Sequence, residues 1–232
     1  MKKYDHLFFD LDHTLWDFEA NSEAALSIIF DQMHLSRSGV PTFEIFMEHY
    51  RKVNANCWAL YKKGKIKKEE LRHRRFGETL ACFGIEDPQL GSVMGEAYLD
   101  LSPKQTRLMP GTLETLNYLA ERGYAMHIIT NGFSEVQHTK MQRSGLESYF
   151  DQIIISEVVG ANKPDKRVFH HALKAARAQK HGSLMIGDDL HADILGARNA
   201  GMDQVYFNPN GHYHRRKLTH EVRELKELKG LL

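Results

Sequence analysis

The chain has 232 residues, 42% hydrophobic and 26% charged, the balance of an ordinary folded protein rather than a disordered, collagenous or coiled-coil one. With 31 basic against 30 acidic residues the net charge is +1, so no global attraction to nucleic acid or anionic membrane is expected. Two cysteines, Cys57 and Cys82, the lack of a secretory leader pattern and the lack of an apolar run near the roughly 20 residues that span a bilayer point to the reducing cytoplasm.

Residues Tyr4 to Asp10 form a short apolar run ending in an acid, the pattern of a buried parallel strand. Residues 19–105 follow without a strand signal. Phe43, Phe46, Met47, Tyr50, Val53, Cys57 and Leu60 share one helical face, and Leu90, Val93, Met94, Ala97, Tyr98 and Leu101 share another, with Asp87-Pro88 as a helix start. With a helix before Met33 and one over 71–83, this predicts a four-helix domain at 19–105 inserted into an α/β domain of residues 1–18 and 106–232. In the latter, Tyr124 to Thr130, Gln152 to Ser156, Ser183 to Gly187 and Gln204 to Phe207 are further strands, each reached through a helical stretch. A βα repeat of this kind makes a parallel sheet. Ser134 and Gln137 fit a capping box, further helices are predicted over 165–178 and from Asp188 to Gly201, and Leu225, Leu228, Leu231 and Leu232 suggest a last amphipathic helix.

Ligands of open parallel sheets bind beyond the carboxyl ends of the strands. There the sequence places Asp10-Leu11-Asp12-His13-Thr14, Thr130-Asn131-Gly132, Lys163-Pro164 and Gly187-Asp188-Asp189. Acids, a hydroxyl and a lysine at these positions suit a metal and phosphate site. In these four motifs, in this order, the chain resembles the haloacid dehalogenase superfamily of phosphotransferases, which implies a Rossmann-like core and a helical cap at the insertion.

Asp10 is the expected nucleophile, because a carboxylate can attack phosphorus and split hydrolysis into two easier steps. Asp12 is placed to protonate the leaving alkoxide and then activate water, provided that burial beside another carboxylate raises its pKa. A halide leaving group needs no such donor, so Asp12 favours phosphate esters over dehalogenation. Carboxylates and a phosphate dianion repel one another, so Mg2+ is expected on Asp10, Asp188 and the Asp12 carbonyl, and the resemblance implies a supporting acid at Asp193. Asp189 reads as a second ligand or a helix N-terminal acid. Lys163 would neutralise phosphate and hold Asp10, and Thr130 with the amides of Asn131 and Gly132 would form an anion nest.

The segments Thr130-Asn131-Gly132-Phe133-Ser134-Glu135 and Ile155 to Pro164 are similar to those of bacterial pyrimidine 5′-nucleotidases, which implies hydrolysis of nucleoside monophosphates such as UMP, dUMP or dTMP. Trp16 is the preferred base contact, with Phe133 as another stacking surface. A sugar-phosphate or phosphoglycolate phosphatase and a phosphomutase would use the same acids, whereas a non-catalytic binding protein would be expected to lack one of the acids or the lysine. The basic run from Lys62 to Lys68, continued by Arg72, Arg74 and Arg75, includes Glu69 and Glu70 at amphipathic spacing and reads as a solvated helix face rather than a nucleic-acid surface.

Overall fold

The computed structural model describes residues 2–232. The chain divides into two compact units, one ending at Phe18 and resuming at Thr106, the other comprising Glu19–Gln105.

The first unit is built on six parallel strands, β1 (His6–Phe9), β2 (Ala125–Thr130), β3 (Gln152–Ile155), β4 (Ser183–Gly187), β5 (Asp203–Phe207) and β6 (His220–Val222), in the order β3-β2-β1-β4-β5-β6. Because side chains alternate along a strand, each apolar run feeds two cores. Leu7, Phe9, Met126, Ile128, Leu184 and Ile186 point into one, while Phe8, Ile129 and Met185 point into the other. The register sets Phe9 opposite both Ile128 and Ile186, so the strand ends of β1, β2 and β4 lie side by side. From β1 the order runs through β2 to β3 on one side and from β4 to β6 on the other, which makes the β1–β4 junction the switch point where such sheets open a crevice.

Helices cover both faces. The second unit contains α1 (Phe18–Gln32, its first residue in the first unit), α2 (Phe43–Lys62), α3 (Lys68–Ala81) and α4 (Pro88–Leu101). In the first unit, α5 (Thr112–Glu121) and α6 (Ser134–Arg143) place Leu116, Leu119 and Met141 on one face of the sheet. The short α7 (Ser156–Val159) precedes α8 (Lys166–Ala175), which places Val168, Phe169 and Ala172 on the other face with Ala197 of α9 (Gly196–Asn199). The chain ends in α10 (Leu228–Leu231). Within the second unit, Leu26, Ile29, Phe46, Tyr50, Phe76, Leu80 and Met94 form a separate core. Two of its helices, α2 and α4, start on side-chain caps: Thr42 accepts from Ile45 N at 3.3 Å and Asp87 from Leu90 N at 2.9 Å.

Three secondary-structure elements differ from the sequence reading. β6 is an additional strand. The expected C-terminal amphipathic helix is one tight turn, Leu225–Glu227, followed by α10: Leu225 and Leu228 are buried in the core, Leu232 packs partly buried against it, and Leu231 stays 40% exposed. The helix after Asp188 opens as a wide π-type turn over Leu190–Leu195 before tightening into α9. Among the described residues, no helix is long and apolar enough to cross a membrane.

Candidate active site

The β1 ladder runs one residue past the strand: Asp10 N donates to Ile186 O at 2.9 Å, which ties this carboxylate to the end of β4. Lys163 reaches it from the loop between α7 and α8. Its Nζ donates to Asp10 Oδ1 at 2.5 Å and to Ile129 O at 2.7 Å, and pairs with Asp193 Oδ1 at 2.7 Å. The backbone of Lys163 is held in turn by the Asn131 side chain, which accepts from Lys163 N at 2.9 Å and donates to Lys163 O at 3.1 Å.

Past β4, the Thr14 hydroxyl donates to Asp188 Oδ1 at 3.2 Å. Asp193 lies against the strand end, its Oδ2 accepting from Asp189 N at 3.0 Å. Only glycine allows this approach, because a Cβ on Gly187 would lie 2.3 Å from Asp193 Oδ2. Asp10, Asp188 and Asp193 each offer a carboxylate oxygen within 4.8 Å of one another. Burial pushes the Asp10 carboxyl well above its ordinary range against the pull of Lys163, and burial likewise raises Asp193. Burial and the neighbouring Asp193 push Asp188 up to about 6. Three crowded carboxylates answered by one bonded ammonium, all hard oxygen donors, are a set that fits a divalent cation such as Mg2+.

Asp12 departs from its expected environment. Burial alone would raise its pKa, but the Lys140 ammonium, with hydrogen bonds from Lys140 and Gln137, outweighs burial and holds the carboxyl below its usual value. Lys140 Nζ donates to Asp12 Oδ1 at 2.6 Å and Gln137 Nε2 to Asp12 Oδ2 at 3.0 Å, so this side chain faces α6 and is absent from the carboxylate cluster. Gln137 Nε2 also reaches Thr130 Oγ1 at 2.6 Å. The capping box expected at Ser134 and Gln137 is therefore replaced: Gln137 turns to the site, and the Ser134 amide and hydroxyl donate to Glu157 at 3.0 and 3.2 Å.

The anion nest also differs from expectation. Gly132 N donates inward to Thr130 Oγ1 at 3.0 Å, so this amide is already engaged within its own loop. Accepting from both Gly132 and Gln137 leaves the Thr130 hydroxyl proton for donation. Asp189 caps the turn that follows, accepting from His191 N and Ala192 N at 2.8 and 2.9 Å, the helix-terminal role. Trp16 offers no stacking face to a base: it is 0% exposed, packed in the sheet core, with Lys140 Nζ 4.3 Å from its ring centre. Phe133 is buried at the start of α6, its carbonyl accepting from Val136 N and Gln137 N. Sequence reasoning missed Lys140 and the site role of Gln137. Their signal is a buried stripe of Gln137, Lys140 and Met141 at i, i+3, i+4 on an otherwise polar helix.

The haloacid dehalogenase-like hydrolase family model matches residues 7–207. The chain belongs to this family. Over 97% of this hydrolase and 93% of the relative it is 34% identical to the pyrimidine 5′-nucleotidase PynA of Streptococcus pneumoniae (strain ATCC BAA-255 / R6). Over 99% of this chain and 98% of the relative it is 36% identical to the pyrimidine 5′-nucleotidase YjjG of Escherichia coli (strain K12). A glyceraldehyde 3-phosphate phosphatase of Methanothermobacter thermautotrophicus is 30% identical over 97% of this chain and 92% of the relative. The crystal structure of the HAD-hydrolase YfnB from Bacillus subtilis bound to magnesium superposes with a TM-score of 0.87 at 29% identity, covering 99% of each chain.

Proposed function

We propose that this hydrolase is a Mg2+-dependent phosphomonoesterase acting on pyrimidine nucleoside monophosphates through a phosphorylated Asp10. The observation that carries the reading is the Lys163 ammonium bonded to Asp10 beside Asp188 and Asp193. Asp10, Asp188 and the main-chain carbonyl of Asp12 would hold the ion. When bound, Mg2+ would neutralise the clustered carboxylates and polarise a phosphoryl oxygen.

Asp10 attacks phosphorus, its ionised form favoured by Lys163 against the cost of burial, and the Thr130 hydroxyl donates to a phosphoryl oxygen. The ester bond breaks and the leaving alkoxide takes a proton from Asp12. To give that proton Asp12 must first carry it, which requires leaving Lys140; the ionised form that Lys140 and Gln137 favour is the one that accepts a proton from water in the second half-reaction. The two pyrimidine nucleotidases among the relatives support the nucleotide substrate, and the sugar-phosphate relative names the competing one.

Phosphate release from UMP, dUMP, dTMP, purine monophosphates and glyceraldehyde 3-phosphate is the test. The highest kcat/KM is expected on a pyrimidine nucleotide; preference for the sugar phosphate would replace the substrate assignment. Loss of turnover in Asp10→Asn and under EDTA, with recovery on adding Mg2+ to the parent enzyme, is expected. Turnover surviving Asp10→Asn would remove the covalent scheme.

A further inference from the structure

Lys140 is a buried lysine, 5% exposed, with a defined set of neighbours. Its ammonium lies 4.3 Å from the Trp16 ring centre and 5.7 Å from that of Phe18, with Asp12 Oδ1 at 2.6 Å. Aromatic faces of this kind hold a cation in place where water is excluded. The other Asp12 oxygen is taken by Gln137, which also binds Thr130, so α6 grips both oxygens of one carboxylate and the hydroxyl at the end of β2. Charge neutralisation needs only proximity; two donors on two oxygens also fix direction.

We propose that Lys140, seated on Trp16 and Phe18, is a positioning residue that aims Asp12 at the water that hydrolyses the phosphorylated Asp10. The inference rests on the reaction proposed above. In that step the water oxygen bonds to phosphorus and the bond between phosphorus and the Asp10 oxygen breaks, its electron pair returning to the Asp10 carboxylate. The water proton passes to Asp12, and inorganic phosphate is released. Without the Lys140 contact the Asp12 side chain is free to rotate, and this second step slows more than the first.

p-Nitrophenyl phosphate separates the two steps, because nitrophenolate departs without a proton. In Lys140→Met, rapid mixing is expected to show a burst of about one nitrophenol per active site, then a steady rate at least about tenfold below the parent enzyme. Lys140→Arg, which keeps the charge on the rings and a donor to Asp12, is expected to restore steady turnover and abolish the burst. A steady rate within about threefold of the parent in Lys140→Met, or a slower rate with no burst, would overturn the assignment. If Lys140→Met is insoluble, Lys140→Gln, which loses the charge but keeps a donor, is read by the same criterion. Failure of the underlying reaction is recognised separately: the parent enzyme, quenched in acid during turnover, would then carry no phosphate on Asp10.

Discussion

Replacing Lys163 by Met removes an ammonium whose side chain is 2% exposed and whose carboxylate partners lie at 2.5 Å (Asp10) and 2.7 Å (Asp193). Breaking one buried ion pair typically costs about 3–5 kcal/mol. Two contacts do not double this figure, because burial already pushes Asp10 and Asp193 upward and both can take up protons once the ammonium is gone. We therefore expect a loss of about 3–5 kcal/mol in the metal-free enzyme, measured by urea unfolding in EDTA near pH 7.5 with tryptophan fluorescence. Saturating Mg2+ should recover part of this loss, because a divalent cation restores positive charge to the same carboxylates. Turnover should fall by at least about 100-fold, since the cation that favours the Asp10 carboxylate against its burial is lost. A Lys163→Met enzyme within about 1 kcal/mol of the parent in EDTA and within tenfold in kcat would refute the account of this cluster.

Gly187→Ala would place a Cβ 2.3 Å from Asp193 Oδ2 and 2.7 Å from its Cβ, so the whole side chain must move. A destabilisation of about 1–3 kcal/mol with reduced kcat is expected, and unchanged values in unfolding and phosphate-release assays would show that Asp193 has room to spare. Trp16→Ala should cost about 3–5 kcal/mol as a core truncation and shift KM for UMP and for p-nitrophenyl phosphate by the same factor; a rise confined to UMP would restore a base contact. His127 is 2% exposed, and burial, with His6 beside it, lowers its pKa to about 4 from 6.5. Since the folded value lies below the unfolded one, its stabilising effect is complete above about pH 6.5 and is lost as pH falls towards 4, by at most about 3 kcal/mol. His127→Asn should flatten the stability profile across that window, and an unaltered slope would assign the pH dependence to other groups.

The parallel sheet was readable because strands buried on both faces appear as unbroken apolar runs, and five of them were located to within two residues. β6 escaped because His220, Glu221 and Val222 contain one apolar residue and pair along a single edge. The wide turn at Leu190–Leu195 has no periodicity signal, since its shape follows from Asp189 capping two amides and Asp193 reaching back to the strand. At the site, Asp10, Asp188 and Lys163 could be placed together because each ends or closely follows a strand, and strand ends meet by construction. The surroundings of Asp12 could not be read in the same way. Its pKa is set by a lysine 128 positions away, and nothing in the residues flanking Asp12 announces that α6 turns a cation inward. Trp16 was misplaced for a related reason: an aromatic beside a catalytic loop reads as accessible until the packing around it is known.

The chain leaves the first unit and returns to it side by side: Asp17 N donates to Arg107 O at 3.1 Å, Met109 N to Leu15 O at 2.9 Å, and Trp16 bridges Leu108. This clasp brings the two ends of the excursion together by hydrogen bonds that belong to the first unit. Doubling the length of chain between such tethered ends adds only about 0.6 kcal/mol of closure entropy. The intervening segment is thus open to replacement or enlargement over evolutionary time while the acids at the strand ends keep their spacing.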